Sequence, residues 1–157
     1  MDSDDASAAN HERYMRRCIE LARIAQGRNN TPVGSVVVIN GEIVGEGIEE
    51  LPTGTNITGH AEVFAYQDAI NKTASTSLSE AALYTTAEPC FMCSYIIREC
   101  RIGLVVYGID TPEIGGVTSI HPILTDTALS AWRPAPRILG GILESECRSL
   151  RSPQNTK

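Results

Sequence analysis

An α/β fold is predicted: a mostly parallel sheet with one antiparallel hairpin strand, covered by helices. Three observations predict it. Strand-like and helix-like segments alternate along the 157 residues. A strong two-residue turn signal, Asn40-Gly41, separates the first two strand-like runs. The later strands are separated by helix-length segments, as parallel crossovers require.

The elements follow in order. Residues 1–10 are polar and acidic and read as a flexible tail. A single domain is expected over 11–151, with a second flexible tail at 152–157. From His11 to about Gln26, Met15, Cys18, Leu21, Ala22 and Ala25 recur on one helical face. Gly27 closes that helix. Gly34–Ile39 is an apolar, β-branched run, and the return strand spans Glu42 to about Ile48. Residues 49–58 hold Pro52, Gly54 and Asn56 and read as a loop. Thr58 is expected to cap a helix over 59–71. Residues 72–79 form a polar connector, and Ala82–Thr86 reads as a buried strand. Pro89 introduces a helix over 90–99. Leu104–Tyr107 is the next strand, ended by Gly108. Pro112, Gly115, Gly116 and Pro122 then mark an irregular stretch, with a short helix expected around 120–129. Pro134 and Pro136 bar a helix where they stand. A short strand at Arg137–Leu139 and a helix over 143–150 complete the chain.

Composition narrows the function classes. The length suits one domain with a real core. Apolar residues at 42% and charged residues at 20% are ordinary for a soluble globular chain. No apolar run approaches the ~20 residues of a membrane span. Met1-Asp2-Ser3-Asp4-Asp5 is not the start of a signal peptide. Thirteen Lys+Arg against 19 Asp+Glu give a net charge of −6, which does not suggest binding to nucleic acid through phosphates alone. Five cysteines, an odd number without a secretory signal, point to reduced thiols and a cytoplasmic setting.

Two short motifs carry chemistry. His60-Ala61-Glu62 and Pro89-Cys90-Phe91-Met92-Cys93 each stand at the expected start of a helix. Cysteines at i and i+3 on a first helical turn project their sulfurs the same way, at zinc-ligand spacing. The helix N-terminus favours thiolates there. If the two helix starts pack side by side, His60, Cys90 and Cys93 converge. Three protein ligands leave a fourth zinc position for water, the arrangement of a catalytic site. Glu62, two residues past the histidine, is placed to take a proton from that water and to deliver it to a ring nitrogen or a leaving amine. Such a set suits hydrolytic attack on an electrophilic carbon.

With these motifs the sequence resembles the cytidine deaminase-like superfamily of zinc deaminases, from about His11 to Leu150. It looks most like the branch of tRNA adenosine deaminases, guanine deaminases and fungal cytosine deaminases. Pro32-Val33-Gly34, Glu88-Pro89-Cys90, Met92-Cys93, Gly141-Ile142-Leu143 and Glu146-Cys147 look like tRNA adenosine deaminase text. The resemblance implies a three-layer αβα fold with a five-stranded mixed sheet. It implies one zinc per subunit on His60, Cys90 and Cys93, and Glu62 as proton shuttle. The backbone at Ala61 and Glu62 and the Glu88 carbonyl are expected near substrate. A homodimer with the pocket near its interface is implied as well.

Two departures shape the expected substrate. Where this branch usually has Asn, eleven residues before the zinc histidine, the chain has Glu49. An ionised carboxylate only accepts hydrogen bonds, so it favours a ring edge bearing N–H or NH2; alternatively Glu49 turns to solvent. After Gly108, where the tRNA enzymes resemble Arg-Asp-x-Lys, the chain reads Asp110-Thr111-Pro112-Glu113, unfavourable beside a polyanion. Trp132 is a candidate to close the pocket or to pack under a loop, and Phe64 to line the pocket or to sit in the core. The expectation is a zinc-dependent hydrolytic deaminase of a free nucleobase or related amino-heterocycle, guanine-like or cytosine-like, with nucleic acid an unlikely partner. The alternative is a tRNA-specific adenosine deaminase forming inosine. A third reading, a non-catalytic zinc-binding partner subunit, is opposed by Glu62.

Overall fold

The hairpin forms as its turn residues dictate. Asn40 and Gly41 both take positive φ (51° and 80°), as a type I′ turn requires, and strands β1 (Gly34–Ile39) and β2 (Glu42–Ile48) pair antiparallel across it. The computed structural model of the protein describes residues 3–50, 56–128 and 131–151. Its other elements are α1 (Ser3–Gly27), α2 (Ala61–Thr73), β3 (Ala81–Ala87), α3 (Phe91–Glu99), β4 (Leu104–Ile109), β5 (Arg137–Leu139) and α4 (Glu144–Ser149).

The five strands form one mixed sheet in the order β2-β1-β3-β4-β5. β1 is antiparallel to both neighbours, while β3, β4 and β5 pair in parallel. Alternation along the strands divides the core between two faces. Val36, Val38, Tyr84 and Val106 meet Met15, Cys18 and Leu21 of α1 and Cys147 of α4. Val37, Leu83 and Val105 meet Ala65 and Ala69 of α2 and Ile97 of α3. Helices on both faces make the expected three-layer αβα fold. Among the described residues no helix is long and apolar enough to cross a membrane.

Three local expectations differ. α1 begins at Ser3, so residues 3–10 are helical where a flexible tail was expected. The segment is alanine-rich (Ala6, Ala8, Ala9), which favours helix, and His11 Nδ1 lies 2.7 Å from the Tyr84 hydroxyl, tying the helix to β3. Thr58 does not cap α2: its hydroxyl donates to Asn56 Oδ1 at 2.9 Å, and His60 is the N-cap residue. Around 120–129 the described residues form turns instead of a helix. There the buried Arg98 guanidinium of α3 draws off the backbone acceptors, donating to Ile123 O (3.0 Å), Asp126 O (2.5 Å) and Arg133 O (2.5 Å). Leu129 and the expected tail at 152–157 lie outside the described residues.

Close packing of α2 on β2 sets the position of the site. A Cβ at Gly45 would fall 2.2 Å from Ala65 O, and one at Gly47 2.1 Å from Ala61 O. Only glycine lets the helix lie this near the strand, and the first turn of that helix carries His60 and Glu62.

Candidate metal centre and catalytic site

The two motif-bearing helix starts stand side by side at the end of β3. His60 is the N-cap of α2 (φ −84°, ψ 143°) and Cys90 the N-cap of α3 (φ −69°, ψ 178°), and neither side chain caps its helix. Both turn toward one point instead. His60 Nδ1 lies 3.6 Å from Cys90 Sγ and 3.6 Å from Cys93 Sγ. All three donor atoms lie within 4.8 Å of one another. A tetrahedral ion with Zn–S of about 2.3 Å and Zn–N of about 2.0–2.1 Å needs N···S separations of about 3.6 Å. The N,S,S donor set therefore fits zinc in kind and in spacing, with one position left for a non-protein ligand.

Protonation of the three groups reflects their contacts. Cys90 is pushed down to about 4, first by its hydrogen bond with Cys93 and then by that with His60. His60 is raised to about 9, chiefly by the hydrogen bond to Cys90. Cys93 is pushed up by its bond to Cys90 and by burial. At neutral pH the metal-free site thus holds one thiolate, one thiol and one imidazolium. Zinc needs two thiolates and a neutral imidazole, so binding expels one proton from Cys93 and one from His60. Zinc affinity is expected to rise with pH by about two decades per unit across neutrality, the slope easing above about 9 as free His60 loses its proton. Competition with a chelator across pH checks this; a pH-independent affinity contradicts it.

Glu62 is buried beside the sulfurs, its Oε2 3.6 Å from Cys93 Sγ. Its Oε1 accepts from the Thr85 hydroxyl (3.3 Å), whose oxygen in turn accepts from the Ser35 hydroxyl (2.9 Å). This chain from β1 through β3 holds the carboxylate in place. Burial raises Glu62 above the ordinary carboxylate range, which suits a group that gains and loses a proton near neutral pH. Thr85 and Ser35 were not anticipated as positioning residues. Their one sequence signal is polarity inside strands that are otherwise apolar.

A cavity of about 130 Å³ opens onto these groups, lined by Val33, Glu49, His60, Glu62, Ala87, Glu88, Cys90, Thr111, Ile114 and Arg151. A larger cavity, about 560 Å³, lies at the other end of the sheet around His11, Tyr84 and Arg137 and holds none of the motif residues.

Glu49 is 6% exposed and faces the site cavity, not solvent. The Ala61 N–H lies beside its carboxylate and favours the ionised form. Burial first, and the nearby Glu62 next, raise Glu49 to about 7. Glu88 plays a part different from the one expected. Its carbonyl accepts from the Thr111 hydroxyl at 3.3 Å, while its carboxylate binds the loop over 111–118: Thr111 N–H (3.0 Å), Val117 N–H (2.9 Å), Thr118 N–H (2.9 Å) and the Thr118 hydroxyl (2.5 Å).

Three candidates stand outside the cavity lining. Asp110 is exposed; burial first, and the Asp110 charge next, push the Tyr107 hydroxyl up. Trp132 lies with its ring 4.3 Å from the Arg98 guanidinium carbon and 6.1 Å from the Tyr95 ring. Phe64 is half-buried on α2, its Cβ close to Gly47. The acids Asp110 and Glu113, expected at the mouth, do not line it, whereas Arg151 does.

A His/Cys/Cys donor set that fits zinc, with a buried carboxylate beside it, is the equipment of a zinc-dependent hydrolytic deaminase. The chain belongs to that class: residues 8–109 match the family of cytidine and deoxycytidylate deaminase zinc-binding regions. Among its relatives, the tRNA-specific adenosine deaminase of Streptococcus pyogenes serotype M1 is 32% identical over 137 residues, 87% of this chain and 78% of that protein. The structure from a study of A-to-I editing by tRNA:A34 deaminases superposes with a TM-score of 0.80 at 29% identity, covering 88% of this chain and 98% of that one. The guanine deaminase of Bacillus subtilis reaches a TM-score of 0.61 at 34% identity, covering 64% of each chain. These findings overturn the expectation of a free-nucleobase deaminase. The tRNA-specific relatives match at 30–32% identity along 87–89% of the chain, whereas the Bacillus subtilis guanine deaminase covers 64% of it.

Proposed function

We propose that the chain deaminates adenosine in tRNA to inosine. The observation that carries this reading is the similarity to a tRNA-specific adenosine deaminase over 87% of the chain. Two features of the site support it. The cavity of about 130 Å³ has room for a flat base. Arg151, at its mouth, is a cation suited to a nucleotide phosphate. The net charge of −6 does not oppose this, because affinity for a polyanion depends on where charges sit.

His60, Cys90 and Cys93 would hold zinc, which would supply a water of lowered pKa as nucleophile. Glu62 takes a proton and passes it to the ring nitrogen beside the amine-bearing carbon. It then carries a second proton to the departing amine. Water and adenosine become inosine and ammonia. Thr85 keeps Glu62 within reach of both positions.

The chain works as a homodimer in this reading. Tyr95, Ile114 and Ile120 are 55%, 50% and 88% exposed, and Ile114 also lines the cavity. A second copy would cover apolar surface beside the mouth. Free thiols at all five cysteines suit the reducing cytoplasm.

Inosine formation in a tRNA pool by the zinc-loaded protein tests the reading. Arg151→Ala is expected to raise KM for tRNA about 3–10-fold and to lower the salt slope of binding by about one. If the wild-type protein forms no inosine in any tRNA yet releases ammonia from other substrates, the proposal falls.

A further inference from the structure

Glu49 carries an observation that the mechanism above leaves unused. Its Oε1 is buried and has no hydrogen-bond partner. The residue directly follows β2, where its backbone N–H donates to Val33 O at 3.0 Å, and the Ala61 N–H at the start of α2 lies beside its carboxylate. A buried carboxylate oxygen without a donor is costly. Here the cost is sustained at a rigid position facing the same small cavity as His60, Glu62 and Cys90.

The cavity selects the missing donor. It accommodates a base ring and leaves the sugar outside, so the donor must belong to the base. Adenine offers only acceptors on its ring nitrogens, and its one N–H donor group is the exocyclic amine, the group that leaves. We propose that Glu49 is a second catalytic carboxylate: its free oxygen accepts an N–H of the exocyclic amine and holds the nitrogen as it departs. Glu62 moves the protons, while Glu49 stabilises positive charge developing on the amine as the C–N bond breaks and the nitrogen leaves as ammonia. Such placement of a fixed acceptor acts on the transition state more than on the bound substrate. The choice of adenine rests on the function proposed above; the role itself requires only an aminated ring in this cavity.

The test uses the zinc-loaded full chain with a panel of tRNA, adenosine, cytidine, guanine and cytosine, reading ammonia release. Whichever substrate the wild type turns over is then used for Glu49→Gln, which keeps shape but removes the anionic acceptor. The expected result is a loss of kcat of about 10²-fold with KM changed less than about threefold. The nitrogen-15 isotope effect on ammonia release should increase as departure becomes slower. Zinc content and thermal midpoint, measured alongside, show that the variant is folded and loaded. If Glu49→Gln misfolds, Glu49→Asp, with the carboxylate withdrawn by one methylene, is expected to show the same kcat loss and the same isotope signature. Unchanged kcat, or a rise in KM alone, overturns the role. Wild-type turnover of another substrate with none of tRNA overturns the tRNA reading and leaves the Glu49 comparison in force on that substrate. Absence of ammonia from every member of the panel overturns both.

Discussion

Glu62→Gln is expected to lower kcat by about 10²–10⁴-fold while one zinc per chain remains bound. Glutamine preserves the volume of a buried side chain, and its carbonyl still accepts the Thr85 hydroxyl that now holds Glu62 Oε1. What it removes is the ability to carry a proton. None of the three metal donors is altered, so zinc content separates a lost proton carrier from a damaged site. The pH profile adds a second readout. Deprotonated Glu62 is the form that accepts the first proton, so the rate falls as pH drops through its pKa. Burial raises that pKa and a bound cation lowers it, so the acid limb of kcat/KM reports the balance of the two. In Glu62→Gln this limb should disappear. Full activity in the variant would remove Glu62 from the mechanism.

The zinc ligands are easy to read because the chemistry demands particular residue types at particular spacings. Cys90 and Cys93 at i and i+3 and His60 with Glu62 at i+2 announce a site before any fold is known. The strands are legible for a related reason: β-branched runs and the Asn40-Gly41 turn leave few alternatives. Long-range placement is harder. Trp132 has a plausible chemistry for the pocket, but its ring is drawn to Arg98, a buried cation that satisfies itself on loop carbonyls. Asp110 and Glu113 look like an acidic rim in the linear chain, yet Asp110 turns to Tyr107 and neither lines the cavity. Arg151 belongs to no motif, and its place just after α4 brings it to the cavity lining. The misreading of substrate class came from Glu49 and from the acidic loop at Asp110 and Glu113, because charge along a chain does not state where it will stand in space. Glu49 is the opposite case. Local sequence left it open to cavity or solvent, and its place at the end of β2, with its N–H on Val33 O, turns it inward.

Glu88→Ala is expected to have the largest effect on stability, about 3–5 kcal/mol, together with weaker zinc binding. The Glu88 carboxylate receives three backbone N–H groups and one hydroxyl from the loop over 111–118. It is 3% exposed, so removing it leaves donors without acceptors, each costing about 1–3 kcal/mol where water cannot reach. The loop is packed to fit it: a Cβ at Gly115 would fall 1.8 Å from Glu88 Oε2, and one at Gly116 2.0 Å from Ser94 Oγ. Glu88→Gln should cost less: with its amide oxygen where Oε2 now accepts from Val117 and Thr118, its NH2 faces only the Thr111 N–H as an unmatched donor. The same loop braces the metal centre. Gly115 bridges Cys90, and Gly116 N–H donates to Pro89 O at 2.9 Å. Loosening the loop therefore loosens the backbone that presents one of the two sulfurs, and zinc affinity should fall about 10–100-fold. Urea unfolding of zinc-loaded and metal-free protein, with chelator competition, separates the two effects. The metal-free protein should lose stability through the loop alone, and the zinc-loaded protein should lose more because its metal is held less tightly. Equal losses in the two forms would show that Glu88 supports the loop without bracing the metal site.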